Sequence, residues 1–293
     1  MASQTQGQLD LRSLETEKIV TGFALQQYNI RDLLCTISPT SSDENRYFTE
    51  SSTELTGGTQ ESIEGVPRGA EFPYMEPNWT RKTSLVLKFA ATAKIFHEDI
   101  VRDDVDTQAR TLLRLARAIK KQVETNVWNV ITENQSAVDI NSVVIAAGSE
   151  WDSATLTNRD PIDNILNAIQ VISEQNYDAL NGNGHLLLNP KDYRNLLSNP
   201  SVRNAGQFYT SDPTRLGTVG MLCGLKVVVS NTVTADYAAV VVAKEACTWK
   251  QAEALRTVVI DDPGIGVKIR AWEQGVAQLR NPKAVCLISN TAA

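Results

Sequence analysis

From Thr83 to Ile95 the chain alternates: Leu85, Leu87, Phe89, Ala91, Ala93 and Ile95 are interleaved with Ser84, Lys88, Thr92 and Lys94. A period of two over this length predicts a strand buried on one face. The period then changes. Val105, Ala109, Leu112, Ala116, Ile119, Val123, Val127 and Val130 follow one another at steps of three or four, which predicts one helix from about Val105 to Glu133 with a single apolar stripe. Asp103, Asp104 and Asp106 supply the cap and first-turn charge that a helix N-terminus favours. At ~1.5 Å per residue the helix is roughly 43 Å long, enough to act as a spine.

The C-terminal half alternates shorter elements. Asp160-Pro161 opens a helix carrying Ile162, Ile165, Leu166, Ile169 and Ile172, and Asn189-Pro190 opens another with Tyr193, Leu196 and Leu197. Both are cap-plus-proline starts. Apolar runs at Leu186–Leu188, Lys226–Val229, Ala238–Ala243, Val258–Ile260, Val267–Ala271 and Ala284–Ile288 predict strands. The class is α+β, with no internal repeat.

Residues 41–78 break the pattern. They are rich in Ser, Thr, Gly and Glu, and residues 50–71 offer only Leu55, Ile63, Val66 and Ala70 as aliphatic anchors, so the segment cannot build a core. If Arg46 to Glu50 is the limb opposite the alternating strand, the stretch between is a long extended hairpin. Before it, a weakly amphipathic stretch (Leu11, Leu14, Lys18, Phe23, Leu25), Ile30 to Leu34 and a Ser38-Pro39 break read as an arm with short helical turns.

Charge sharpens this picture. The 293-residue chain carries a net −6, and residues 41–80 alone hold eight acids against Arg46 and Arg68, so the rest of the chain is balanced. A uniformly basic nucleic-acid binder is excluded, and the acidic segment asks for a partner. Hydrophobic residues make up 42%, which suits a folded chain, and no apolar run approaches the ~18 residues of a membrane helix. With no signal pattern over Met1 to Gln8, the chain reads as cytoplasmic, and Cys35, Cys223, Cys247 and Cys286 read as unpaired buried thiols.

Candidate chemistry is thin. His97 in Phe96-His97-Glu98-Asp99 lacks the second histidine of a metalloprotease motif, and His185 follows the turn Asn181-Gly182-Asn183-Gly184, so both read as ordinary boundary residues. Gly217, Gly220 and Gly224 lack dinucleotide spacing, and Asp261-Asp262-Pro263-Gly264-Ile265-Gly266 reads as a turn. The chain is therefore expected to be no enzyme and to need no cofactor or metal. One charged feature stands out. Arg110, Arg114, Arg117 and Lys121, with Lys120 beside them, share a helix face that contains no acid between 110 and 121. A solvated surface accounts for it; a sequence-blind contact with nucleic-acid phosphates or a partner's acids is the sharper reading.

The order of parts, arm, acidic hairpin, strand, spine helix and α+β lobe ending in strands, resembles the major capsid proteins of tailed bacteriophages, the fold named after phage Hong Kong 97. Asn29 to Leu34 through Arg46-Tyr47-Phe48 is similar to the end of the family's N-arm entering its extended loop, and Pro67-Arg68-Gly69-Ala70 with the strand after Trp79 to the loop's return. Asn189 to Tyr193 and Leu222 to Ser230 are similar to the axial lobe's asparagine-proline helix start and the glycine-containing strand that follows. Val267 to Ile288, with Arg280-Asn281-Pro282-Lys283-Ala284, resembles the closing strands beside the spine.

The resemblance implies an N-terminal arm (residues 1–40), an extended loop (41–82), a peripheral domain with the spine helix (83–135), an axial domain (136–255) and return strands to the peripheral domain (256–293). It further implies pentamers and hexamers closing into an icosahedral shell around double-stranded DNA, with a portal and separate scaffolding or decoration proteins as partners and no membrane. Glu50, Glu54, Glu61, Glu64 and Arg68 would then lie at the loop's subunit interface, and Arg110, Arg114, Arg117 and Lys121 would face DNA. Some members crosslink through a loop lysine; residues 41–80 hold none and Lys82 lies at the loop's base, so no such crosslink is expected. Two rivals remain: an encapsulin-type compartment shell of the same fold, and a soluble α+β enzyme.

Overall fold

The computed structural model describes residues 29–56, 65–72, 76–96, 98, 105–200, 202 and 220–292. The described chain opens with helix α1 (Asn29–Leu34) and strand β1 (Cys35–Pro39). Two long limbs follow, β2 (Glu44–Thr56) and β3 (Glu76–Leu85), then β4 (Leu87–Phe96) and the spine helix α2 (Val105–Ile131). Next come β5 (Asn141–Val144), α3 (Pro161–Glu174), β6 (Gly184–Leu188) and α4 (Pro190–Ser198). The rest is strands: β7 (Met221–Leu222), β8 (Leu225–Val229), β9 (Tyr237–Val242), β10 (Cys247–Asp262), β11 (Gly266–Leu279) and β12 (Val285–Ser289).

These strands sort into three sheets. One has the order β1-β10-β11-β4, one β5-β12-β9-β6-β8-β7, and β2 pairs with β3 alone. Helix α2 lies across β11 and β4 through the stripe read from its periodicity: Ala116, Ile119, Val123 and Val127 are buried, joined by Leu115, Trp128 and Ile131. Helix α3 covers the second sheet with Ile165, Ala168, Ile169 and Ile172, and β6, β9 and β12 are buried almost throughout, as a strand covered on both faces should be. Asp160 accepts a hydrogen bond from the Asp163 amide and Asn189 from the Lys191 amide, so both cap-plus-proline starts hold. The spine cap residues Asp103 and Asp104, and His97, lie outside the described residues, as does the side chain of Asp106.

Several expectations need correcting. The alternating segment Thr83 to Ile95 is two strands that part at Val86, whose amide donates to the Asp43 carbonyl. Alternation survives in β4, where Phe89 and Ile95 are buried, but Leu85 is 65% exposed because β3 departs with β2. Arg46 to Glu50 accordingly pair with Thr83 to Trp79, and the hairpin's return limb is β3 rather than the whole apolar run.

The final strand also moves. β12 pairs with β5 and β9 in the six-stranded sheet, so it does not close beside the spine; β11, paired with β10 and β4, does that. β10 and β11 are 16 and 14 residues long, far beyond Val258–Ile260 and Val267–Ala271. Register shifts between Gln251 and Arg256 scramble the period in β10, and in β11 the inward-facing Glu273 hides the pattern. Gly275 is required there, because a Cβ would collide with the Trp249 ring.

The expectation of four unpaired thiols fails for two of them. Cys35 and Cys247 sit directly opposite in the parallel β1–β10 register, with Cα atoms 4.9 Å apart, and are joined as a disulfide; Cys223 and Cys286 remain free. The segment that precedes the hairpin is also well anchored. Ile30 and Leu34 are fully buried, and the Ile30 amide donates to Glu124 on α2.

Candidate assembly surfaces

The acidic segment is tied to the body at the base of its ribbon. Tyr47 and Lys82 are register partners near the body, where the Lys82 amine meets Asp139 Oδ2 at 2.5 Å and Glu133 Oε1 at 3.8 Å. Burial by itself lowers the Lys82 pKa, but the Asp139 hydrogen bond and the charges of Asp139 and Glu133 outweigh it, so the pKa is raised and the amine stays protonated. Glu133 is oriented in turn by the Asp139 and Ile140 amides. Gln278 Nε2 of β11 donates to Ser84 Oγ, whose own proton goes to the Asn45 carbonyl. A two-stranded ribbon is thus tied to the first sheet where β3 ends.

Further out, Glu50 pairs opposite Trp79, and Glu54 falls in the irregular stretch between Glu50 and Leu55. Arg68 is exposed in a turn closed by the Ala70 amide on the Pro67 carbonyl. Glu61 and Glu64, and the side chains of Glu50 and Glu54, lie outside the described residues. Phe48, on β2, is a large apolar side chain that is 57% exposed.

On the spine helix, Arg114, Arg117 and Lys121 are exposed and lie within one another's reach at steps of three and four. Lys120 does not join them. It turns inward and is nearly buried; its pKa is lowered by burial, with Glu124 opposing and Arg117 adding to the effect. Arg110 belongs to the helix, but its side chain lies outside the described residues.

No arrangement suited to catalysis emerges among the described residues. His185 sits on β6 with Nδ1 2.9 Å from the Asn183 carbonyl, and burial pushes its pKa down, so the ring is neutral near pH 7. Asp192 on α4 is fully buried; desolvation pushes its carboxyl up to about 6, and the Thr291 hydroxyl faces it without a well-formed hydrogen bond. The charges of Asp236 and Asp152 add to the rise at Asp192. No group of three His, Cys, Asp or Glu among the described residues is positioned to hold a metal, and no described helix is long and apolar enough to cross a membrane. An open cleft of about 700 Å³ lies where β1 and β10 meet the hairpin base, lined by Thr36, Ser38, Phe48, Lys244, Lys250 and Arg280 among others.

Sequence reasoning did not anticipate the Lys82 ion pairs, the ion pair of Arg31 with Glu273, or the disulfide. Their members stand 51 to 242 positions apart, with no local motif to signal them.

Comparison with known proteins fits this geometry. Residues 81–288 match the family model described as phage capsid protein. No curated protein sequence matches the chain. Among solved structures, the capsid of cyanophage P-SCSP1u superposes with a TM-score of 0.66 at 14% identity, covering 87% of this chain and 86% of that one. A structure of Mycobacterium phage Che8 gives 0.62 at 15% identity, over 86% of each chain. A virus-like particle from Pyrococcus furiosus also gives 0.62, at 12% identity over 94% of this chain and 98% of that one. At such identities the likeness is one of fold, the α+β Hong Kong 97 fold. With a family model spanning more than half of its length, this chain belongs to the phage capsid protein family and is a structural shell protein of the virion.

Proposed function

We propose that the chain is a major capsid subunit that assembles in the host cytoplasm as pentamers and hexamers and closes into an icosahedral shell around double-stranded DNA. The observation that carries this is the β2–β3 ribbon, a sheet in which the described residues pair with no third strand and which meets the body through β11 and the helical turn Pro282–Ala284. A two-stranded ribbon is marginal in water on its own, and residues 41–80 are too polar to collapse inward. Contacts with a neighbouring copy supply what the subunit lacks. In this reading Glu50, Glu54, Glu61, Glu64 and Arg68 meet oppositely charged groups of the next subunit, where pairing fixes register more than it adds affinity.

The four-stranded sheet with α2 serves as the peripheral lobe, and the six-stranded sheet with α3 and α4 as the axial lobe. Arg114, Arg117 and Lys121, together with Arg110, face the packaged genome and contact phosphates without reading sequence. A portal and separate scaffolding or decoration proteins complete the particle. Lys82, committed to two carboxylates, is not available for an inter-subunit isopeptide bond.

Electron microscopy of the purified chain tests this directly. Closed shells or their capsomers, with DNA recovered from particles made during infection, are expected. A discrete small oligomer under every assembly condition overturns the reading. Shells that co-purify with an enzyme and no DNA assign the chain instead to the compartment type, a reading that the near full-length likeness to the virus-like particle keeps open.

A further inference from the structure

Cys35 occupies the junction of α1 and β1, the point at which the N-terminal segment enters the body. Among the described residues β1 is an edge strand, joined to the sheet through five register pairs with β10. Around the two cysteines the non-covalent fit is already complete. The Lys244 amine donates to the Asp32 and Cys35 carbonyls, the Lys244 amide to the Leu34 carbonyl, and Thr36 Oγ1 to the Lys244 carbonyl. Arg31 is anchored on Glu273, and Ile30 and Leu34 are buried. The two sulfurs are therefore placed opposite each other by backbone register and packing, and transient opening of the β1 edge is all that is needed to admit an oxidant.

We propose that Cys35 and Cys247 form a clasp that is open during folding and assembly and closes by thiol–disulfide exchange with a low-molecular-weight disulfide, such as oxidised glutathione, once the particle leaves the reducing cytoplasm. The timing rests on the capsid reading above; the chemistry does not. A reducing compartment keeps such pairs as thiols, and an extracellular particle meets an oxidising one. One cysteine thiolate attacks a sulfur of oxidised glutathione, expels one glutathione thiolate and leaves a mixed disulfide. The second cysteine thiolate then displaces the other glutathione. Two protein thiols lose two electrons and two protons, and one small disulfide is reduced to two thiols.

The fold allows one intrachain bridge among the four cysteines, and because Cys35 and Cys247 are themselves fully buried each exchange step passes through opening of the β1 edge. Cys286 is buried in β12, where desolvation pushes its thiol up to about 12, and Cys223 lies in the β7–β8 turn, its thiol raised by burial. β12 and β7 are not neighbours in the six-stranded sheet, so these two cannot bridge each other. Once formed, the Cys35–Cys247 bond is fully buried and shielded from reductant unless the β1 edge opens. Its ring encloses a sequence separation of 212 residues, including the ribbon, the spine helix and most of the second sheet, and a ring that long strongly restricts the unfolded chain.

The test counts thiols. Cells making the full chain are lysed into N-ethylmaleimide, and a second sample is treated with oxidised glutathione before blocking; both are denatured and weighed by mass spectrometry. Four blocked cysteines are expected at lysis and two after oxidation, with a linked Cys35–Cys247 peptide. The oxidised particle should melt several degrees above the same particle in dithiothreitol, and the C35S/C247S double variant should melt like the reduced wild type with or without reductant. Two blocked cysteines at lysis, four after oxidation, or identical melting of oxidised and reduced wild type each overturn the proposal. Since thiols are counted on denatured chains and the wild type serves as its own control, the result depends neither on DNA content nor on whether the variant folds.

Discussion

Arg31 and Glu273, 242 positions apart, form an ion pair with Nη1 2.5 Å from Oε1 while they are only 5% and 1% exposed. The guanidinium also lies 5.8 Å from the Trp249 ring centroid. A helix of six residues, Asn29–Leu34, is thereby bolted to β11, an inner strand of the four-stranded sheet.

Removing Glu273 leaves the buried Arg31 with the partly exposed Asp32, 3.0 Å from Nε, as counter-charge. Glu273→Ala should therefore lower stability in denaturant unfolding by less than the ~3–5 kcal/mol of a wholly unpaired buried charge. Replacing both residues with apolar ones of similar volume should cost far less. Equal losses for the single and double changes contradict the assignment.

Asp192 links stability to pH. Its folded-state pKa of about 6 is above the ordinary value of 3.8, so folding favours the protonated form. The contribution is fully present below the unfolded value and is lost as pH rises through the folded one, at up to about 1.4 kcal/mol per pH unit. Stability should fall between pH 4 and 6 by this route, and Asp192→Asn should remove that part of the slope, which melting curves across the range measure.

Deleting Glu54 to Glu64 removes the middle of the acidic segment, with Leu55 and Ile63 as its aliphatic residues. The variant should keep the circular dichroism of the parent and remain monodisperse, while shell yield drops to near zero. Normal particle numbers remove the hairpin from the assembly interface.

Reversing charge at Arg114 and Arg117 alters exposed positions that support no packing. Packaged DNA per particle should fall at least about twofold while shell yield stays within about twofold of wild type, since phosphate contacts scale with cation number. Unchanged DNA content returns this helix face to the role of a solvated surface.

Much of the fold could be read locally. The spine helix, the two cap-plus-proline helices and strands β6, β8 and β9 each follow from a period or a punctuation signal within a few residues. The hairpin's existence was legible too, because a polar, acidic stretch between apolar limbs cannot fold inward. Its register was not: Val86 breaks one apolar run into two strands that join different sheets.

The site was less legible than the fold. Composition singled out the acids of residues 41–80 and the helix cations, yet placed Lys120 among the latter, where burial beside Glu124 turns it inward. What the amino-acid order determined by itself is therefore the set of elements and the one segment unable to stabilise itself, since both depend on neighbours within a turn or a strand. Tertiary structure alone decided the pairing of Cys35 with Cys247, Arg31 with Glu273, Lys82 with Asp139, and β12 with β5 and β9. Each is a meeting of distant segments, brought about by burying separate apolar faces together, and local sequence carries no signal for the partner that such burial delivers.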